Sequence, residues 1–153
     1  MAQTKYKVNK DTSKRTCNGI VFDSELEMRY YRDVVLEGVK NGTIAEYEMQ
    51  KVYILQPKFQ HEGKSILPIK YVCDFWVKYS DGHEEVIDTK GFADQKAPIK
   101  RKMFWYTFPD LTLRWIAYSK MDGGWIDYEE LKKKRAERRK KKKQLMEYMG
   151  NKE

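Results

Sequence analysis

The chain has 153 residues, of which 41% are hydrophobic and 14% aromatic, a composition that suits one folded domain and excludes wholesale disorder. It carries 31 basic and 23 acidic side chains, and residues 132–143 alone hold ten of the basic residues and one acid. A near-neutral body with such a cationic segment favours a polyanionic partner, nucleic acid before anionic lipid, although a solubilising charged helix would have the same composition.

The sequence also limits location and covalent chemistry. No apolar run reaches the ~18 residues of a membrane span, and the N-terminal residues contain no signal sequence. We therefore expect a soluble, cytoplasmic protein without a membrane partner. Cys17 and Cys73 are too few for a disulfide framework or a zinc site, so we expect reduced thiols, with Cys73 in the core.

The N-terminal third contains a basic arm and a helix. Residues 1–19 are polar and basic without sustained periodicity, which predicts a flexible arm. A helix is predicted over residues 24–40, since Ser24 and Glu27 have the spacing of a capping box and an Asn-Gly turn follows. Glu27 is the one charged residue in the apolar stripe of this helix. Its carboxylate either closes the capping box or faces a partner in the interior, and both can hold at once.

The middle of the chain has the pattern of β-structure. The predicted strands cover residues 43–49, 52–55, 59–60, 71–79 and 83–90. The last two form a hairpin, and a three-residue loop with Gly82 in the left-handed region pairs Tyr79 with His83. Counting back along both strands then places Asp74 opposite Asp88. A two-residue loop would shift the register by one residue and move Asp88 to the other face. We favour the longer loop, because this shift would also displace the apolar residues of the first strand relative to the second.

Two helices and a strand are predicted after the hairpin. The first helix runs from Pro98 to Pro109 and has Ile99, Lys102, Met103 and Tyr106 on its inward face and Lys100 and Arg101 outward. A strand follows over residues 111–118. The second helix begins at Asp127, enters the lysine-rich tract and projects from the body, since few apolar residues remain there to pack.

This order of elements predicts a mixed α/β domain in which a sheet is flanked by helices. We assign residues 1–19 to the arm, 20–126 to the core and 127–153 to a basic C-terminal helix. The aromatic residues expected in the core are Trp76, Trp105, Tyr106 and Trp115.

The chemistry is predicted at Asp88-Thr89-Lys90, where an acid and a lysine share one face of a strand. The same spacing occurs three more times in the chain, but here Asp74 on the partner strand supplies a second carboxylate. Two carboxylates directly opposite each other repel and destabilise the hairpin. A divalent cation bound between them would make the arrangement stabilising instead. Oxygen ligands suit Mg²⁺. The competing interpretation is that both aspartates are solvated on an exposed face.

Three segments together resemble a known superfamily. They are FDSELEMRYY at 22–31, YVCDF at 71–75 and IDTKGF at 87–92. Their order is similar to that of the PD-(D/E)xK nucleases, and more closely to a family of small phage and prophage nucleases linked to Holliday-junction resolution. The similarity covers about residues 15–118. Cys73 stands in place of the proline that names the superfamily, and Asp88 in place of the commoner glutamate.

The resemblance implies a restriction-endonuclease-like fold and a metal-dependent DNA endonuclease. It makes Glu27, Asp74, Asp88 and Lys90 the catalytic residues. The two aspartates and Glu27 would hold Mg²⁺, with Mn²⁺ as a substitute, and Lys90 would orient or activate the attacking water. Resemblance to resolvases also implies a homodimer, acting on branched DNA in the host cytoplasm if the gene is a phage gene.

Basic residues outside the site are candidates for phosphate contacts, which add affinity without reading sequence. They are Lys14, Arg15, Lys100, Arg101, Lys102, Lys132, Lys133, Lys134, Arg135, Arg138 and Arg139. Two alternatives stay open: a nuclease that cuts flaps, nicks, duplexes or single strands, and a non-catalytic nucleic-acid-binding protein that uses its basic tail.

Overall fold

The computed structural model describes residues 11–150, so residues 1–10 of the predicted arm lie outside it. The helical segments are α1 (Glu25–Tyr30), a π-helical segment (Tyr31–Val35), α2 (Leu36–Lys40), α3 (Lys96–Thr107) and α4 (Tyr128–Gly150), with 3₁₀ turns at Ser13–Arg15 and Lys120–Asp122. The strands are β1 (Thr16–Cys17), β2 (Ile20–Val21), β3 (Ile44–Met49), β4 (Val52–Gln56), β5 (Phe59–His61), β6 (Lys64–Ile66), β7 (Ile69–Val72), β8 (Phe75–Tyr79), β9 (Glu84–Thr89), β10 (Thr112–Ser119) and β11 (Gly124–Asp127). Over residues 11–150, no helix has the length and apolar character needed to cross a membrane.

The centre of the fold is a five-stranded mixed sheet with the strand order β11-β10-β9-β8-β3. Strands β9 and β10 are parallel and α3 connects them, while the other neighbours are antiparallel. Alternate side chains of the sheet belong to two different clusters, Phe75 and Ile87 with the α1 helix and Val86 with α3. The predicted mixed α/β class, with helices on a sheet, is confirmed.

The register of the β8–β9 hairpin is the one that the sequence favours. Phe75 pairs with Ile87, and the amide of Tyr79 donates to the carbonyl of His83 at 2.9 Å. The loop between them has three residues, and Gly82 has a φ of 91°, in the left-handed region that glycine tolerates without strain. Asp74 therefore lies across from Asp88 just beyond the last hydrogen-bonded pair.

The single strand predicted over residues 71–79 is wrong, because the chain bends sharply between β7 and β8. Strands β3 and β4 form with β8 and β7 one antiparallel ribbon in which Met49 pairs with Phe75 and Val52 with Val72, so the register is the same on both sides of the bend. Backbone hydrogen bonds continue across the bend, from Gln50 to the Asp74 carbonyl. Gln50 has a φ of 55°, which redirects the ribbon. The bend places Asp74 at a corner.

The predicted helix over residues 24–40 is confirmed, although its middle turn is π-helical. The hydroxyl of Ser24 accepts a hydrogen bond from the Glu27 amide at 3.0 Å, the first half of a capping box. Asn41 and Gly42 end the helix, and Gly42 has a φ of 81°.

The inward face of helix α3 is shifted from the predicted one, although Met103 packs against the core as predicted. Phe104 is fully buried and packs on Tyr53 and Phe108, with ring centroids 5.2 and 5.1 Å away. Ile99 and Tyr106, predicted to face inward, are 61% and 91% exposed. Tyr53 on β4 and Tyr71 on β7 both pack on Phe104, with ring centroids 5.2 Å away, and these contacts select the face that carries Phe104.

The same rotation exchanges the positions of two basic residues. Lys102, predicted to face inward, is exposed, and Arg101, predicted to face outward, lies against the sheet. The guanidinium of Arg101 is 3.9 Å from the ring centroid of Trp115. Trp115 is buried as expected and Trp76 is half-buried, whereas Trp105 is 47% exposed and so lies outside the core, like Tyr106.

Regular structure begins earlier than the predicted end of the arm. Residues 13–15 form a 3₁₀ turn, and β1 pairs with β2. The guanidinium of Arg15 donates to the carbonyl of Phe22, and the amide of Phe22 donates back to the carbonyl of Arg15 at 2.9 Å. Residues 13–17 of the segment assigned to the arm are therefore held against the chain just before the N-terminus of α1. Cys17 and Cys73 are free thiols, and Cys73 is fully buried, as predicted.

Helix α4 is attached to the body at its first turns only. Leu131 packs with Ala117 and Ile126, and residues 139–150 are exposed along their whole length, as expected of a projecting helix. Between these parts Arg138 binds Asp122 through two hydrogen bonds of 2.7 and 3.1 Å. This ion pair fixes the direction in which the basic helix leaves the domain.

We predict that this attachment weakens in acid. Hydrogen bonds from Arg138 and Ser119 lower the pKa of Asp122 from 3.8 to about 2. A lowered pKa contributes stability that is present above pH 3.8 and is lost as the pH falls through 2. Arg138→Gln should therefore lower the melting temperature at neutral pH, and the difference from wild type should shrink as the pH approaches 2. Arg139→Gln, on the exposed face, is the control, and an equal loss in both variants would contradict the prediction.

Candidate active site

Two aspartates meet at the corner of the bent ribbon, and each binds the backbone beside the other. The Asp88 carboxylate accepts from the Asp74 amide at 3.0 Å. The Asp74 carboxylate accepts from the amide and the hydroxyl of Thr89 at 2.7 and 2.8 Å. Asp88 is only 4% exposed. The interpretation in which both aspartates are solvated on an open face is therefore wrong, since this reciprocal arrangement holds the two carboxylates together out of bulk water.

A buried hydrogen-bond chain supports Asp88 from behind. The hydroxyl of Tyr71 donates to Asp88 Oδ2, and the indole Nε1 of Trp115 donates to the same hydroxyl at 3.0 Å. Burial and the neighbouring Asp88 carboxylate raise the pKa of the Tyr71 phenol far above its usual range, so the hydroxyl keeps its proton. The chain fixes the orientation of Asp88 by way of two buried aromatic residues.

Lys90 lies beside the aspartates, as the acid-x-lysine spacing predicts. Its Nζ is 3.3 Å from Asp88 Oδ2 and 5.1 Å from the ring centroid of Trp115. Its amide donates to the carbonyl of Ile116 on the parallel strand at 2.7 Å, so the sheet fixes its backbone. The side chain is 21% exposed, which leaves the ammonium accessible to a substrate.

Glu27 approaches the corner from the helix and is 4% exposed. Gln50 connects it to the ribbon, because its side-chain amide donates to Glu27 Oε1 at 2.9 Å while its backbone amide donates to the Asp74 carbonyl at 3.1 Å. Burial and the charges of Asp74 and Asp23 raise the pKa of Glu27 to about 7. The Glu27 carboxylate therefore faces the interior, and the Glu27 backbone amide takes part in the helix cap with Ser24.

The electrostatics of the corner favour a cation. Burial and the Asp88 carboxylate raise the pKa of Asp74 to about 6, which reflects the cost of a second negative charge at this place. Oδ1 of Asp74 accepts no hydrogen bond from residues 11–150, so one oxygen is available as a ligand. Carboxylate oxygens are the donors that Mg²⁺ prefers, so the aspartate pair fits this ion. Among the described residues, no group of three Asp, Glu, His or Cys side chains forms a ready-made metal cluster.

The basic residues proposed as phosphate contacts differ in how free they are. On α4, Lys132 binds Glu129, Lys134 binds Glu130 and Arg138 binds Asp122, at 3.4, 3.5 and 2.7 Å. The exposed residues without an ion pair to any residue in 11–150 are Lys14, Lys100, Lys102, Lys133, Arg135 and Arg139. Arg101 binds Glu129 at 3.0 Å and is largely buried, so it connects α3 to α4.

Sequence reasoning missed four residues that hold the site together, namely Gln50, Tyr71, Thr89 and Trp115. Thr89 lies inside the Asp-x-Lys motif and Tyr71 three residues before Asp74, so their closeness to the motifs was the available signal. Gln50 carried a weaker signal as a polar residue between two predicted strands.

One family profile matches residues 3–124, a span that includes all four candidate catalytic residues and ends before α4. The chain belongs to the DUF1064 family. That family is described as a protein family of unknown function. No curated protein matches this DUF1064 chain significantly.

We predict that Tyr71→Phe destabilises this DUF1064 domain by about 1–3 kcal/mol, because it leaves the buried Asp88 oxygen and the Trp115 N–H without their common partner. The matched control is Tyr53→Phe, which removes a hydroxyl that makes no hydrogen bond to the described residues but keeps the same ring packing on Phe104. Urea unfolding of both variants measures the difference, and equal stabilities would contradict the prediction.

Proposed function

We propose that this chain is a metal-dependent endonuclease that hydrolyses phosphodiester bonds in DNA. The observation that supports this most is the paired carboxylates of Asp74 and Asp88 with the Lys90 ammonium 3.3 Å from Asp88, at the C-terminal end of the central strand β9. The order of these residues after Glu27 also resembles the PD-(D/E)xK nucleases. Because that resemblance also implies a branched DNA substrate and a homodimer, we propose both for this chain.

The residues of the site have separate roles in the proposed reaction. Asp74 and Asp88 would hold Mg²⁺, and Glu27 would hold a second ion or a water beside it. When bound, Mg²⁺ polarises the scissile phosphate and stabilises negative charge on the leaving oxygen. Lys90 donates a hydrogen bond that orients the attacking water toward phosphorus. The oxygen of that water forms the new bond to phosphorus and its proton passes to solvent. The bond from phosphorus to the leaving deoxyribose oxygen breaks, and that oxygen takes up a proton from solvent.

The first test of the proposal is cleavage of a labelled four-way junction and a linear duplex of matched sequence, with Mg²⁺ or with EDTA. We expect cleavage only with the metal. Asp88→Asn should reduce it by at least about 100-fold, because it removes a charge that stabilises the transition state through the ion. Lys90→Gln should reduce it by about 100-fold, the cost of misplacing a reacting group that the lysine no longer orients.

The control for these variants is Glu62→Gln. Glu62 has the same spacing to a lysine but lies in the exposed β5–β6 turn, so its removal should leave cleavage unchanged. Full activity of Asp88→Asn, or full activity in EDTA, would contradict the proposal.

The second candidate function is nucleic-acid binding without catalysis, and the exposed basic surface of α4 supports it. Lys133, Arg135 and Arg139, which lie on different sides of the helix, are exposed and make no ion pair with the described residues. In an endonuclease this surface would add phosphate contacts without reading sequence.

We expect the triple change of Lys133, Arg135 and Arg139 to Gln to weaken DNA binding at low salt. The slope of log K against log salt should fall by up to about 3, because each phosphate contact contributes about 0.9. Fluorescence anisotropy at several salt concentrations measures this slope. Under the endonuclease proposal, the variant still cleaves DNA at saturating protein, whereas a binding protein shows no metal-dependent cleavage at any concentration.

A further inference from the structure

An open pocket of about 320 Å³ adjoins the candidate active site on the side of α3. Its lining residues are Lys90, Phe92, Asp94, Lys96, Ala97 and Lys100. Lys90 belongs to both places, because its ammonium also lies 3.3 Å from Asp88. A group bound in this pocket would therefore lie next to the atoms that react in the proposed hydrolysis.

The charge of the pocket favours an anion. Three lysines line it against a single carboxylate, that of Asp94. Asp94 accepts from the backbone amides of Lys96 and Ala97 at 3.1 and 2.9 Å, so it caps the first turn of α3. Lys96 and Lys100 make no ion pair with any residue of the described chain. Two ammonium groups are thus available for a phosphate.

An aromatic ring forms the other side of the pocket. Phe92 is 71% exposed. The next residue, Ala93, donates its amide to the hydroxyl of Tyr128 on α4 at 3.3 Å, which holds the backbone of the loop near the helix. An exposed ring next to a held backbone offers a surface on which a nucleobase can stack.

Resting on the proposed function, we propose that this pocket binds one nucleotide of the DNA strand next to the scissile phosphate. Lys96 and Lys100 contact its phosphate, and Phe92 stacks on its base. A base inside a duplex already stacks on its neighbours on both sides, so the nucleotide in the pocket has to be unpaired. The substrate class is therefore DNA with an unpaired nucleotide beside the cut, such as a flap at a branch point or a single strand.

The test measures binding by the full-length chain in EDTA, so that no cleavage is needed for the result. The probes are a labelled flap and a fully paired duplex of the same length. Phe92→Ala should weaken binding of the flap by about 5- to 150-fold, the range that one stacked base contributes, and should leave duplex binding unchanged. Phe92→Trp should retain flap binding. Changing Lys96 and Lys100 together to Gln should lower the salt slope by about 2.

The matched control is Tyr106→Ala, which removes a 91% exposed aromatic ring on α3 outside the pocket and should have no effect. Thermal melts of all variants exclude unfolding as the cause of a loss. If Phe92→Ala binds the flap as wild type does, or weakens flap and duplex equally, the pocket proposal is overturned.

The failure of this inference and the failure of the proposed function give different results. A selective loss of flap binding in Phe92→Ala, together with a wild-type chain that never cleaves in Mg²⁺, supports the pocket and rejects the endonuclease. A wild-type chain that cleaves in Mg²⁺, together with unchanged flap binding in Phe92→Ala, supports the endonuclease and rejects the pocket.

Discussion

The reciprocal binding of Asp74 and Asp88 is the constraint on which the rest of this structure depends. Two acidic side chains at the corner of a ribbon repel each other, and burial increases the cost. The fold offsets that cost with the backbone amides of Asp74 and Thr89, the hydroxyls of Tyr71 and Thr89, and the ammonium of Lys90. Such a costly arrangement accords with a role in cation binding more than with a role in packing.

The elements around this corner each bring one component to it. The bend at Gln50 turns the ribbon so that Asp74 faces the end of β9, and the helix on one face of the sheet brings Glu27. On the other face, the crossover through α3 brings the pocket with Phe92 next to Lys90. Helix α4, attached through Asp122, extends a basic surface away from the same domain. In the proposed function, chemistry, strand binding and general affinity for DNA thus come from separate parts of one small fold.

The sequence predicted the hairpin register and the inward carboxylate of Glu27, because both follow from local rules: a left-handed glycine in a short loop, and a charge in an apolar helical stripe. It did not predict the bend before Phe75, since an unbroken run of aromatic and β-branched residues has the pattern of one strand. The inward face of α3 was also wrong, because contacts of Phe104 with rings far along the chain outweighed the periodicity of Ile99. Distant packing decided both cases.

The most direct test of the central claim is a crystal structure of the wild-type chain grown with Mn²⁺, with anomalous diffraction used to locate the ion. We expect a peak bound by Asp74 and Asp88 and adjacent to Lys90. If Mn²⁺ supports DNA cleavage in solution but the anomalous peak lies away from both aspartates, the account of this corner as the metal site is contradicted.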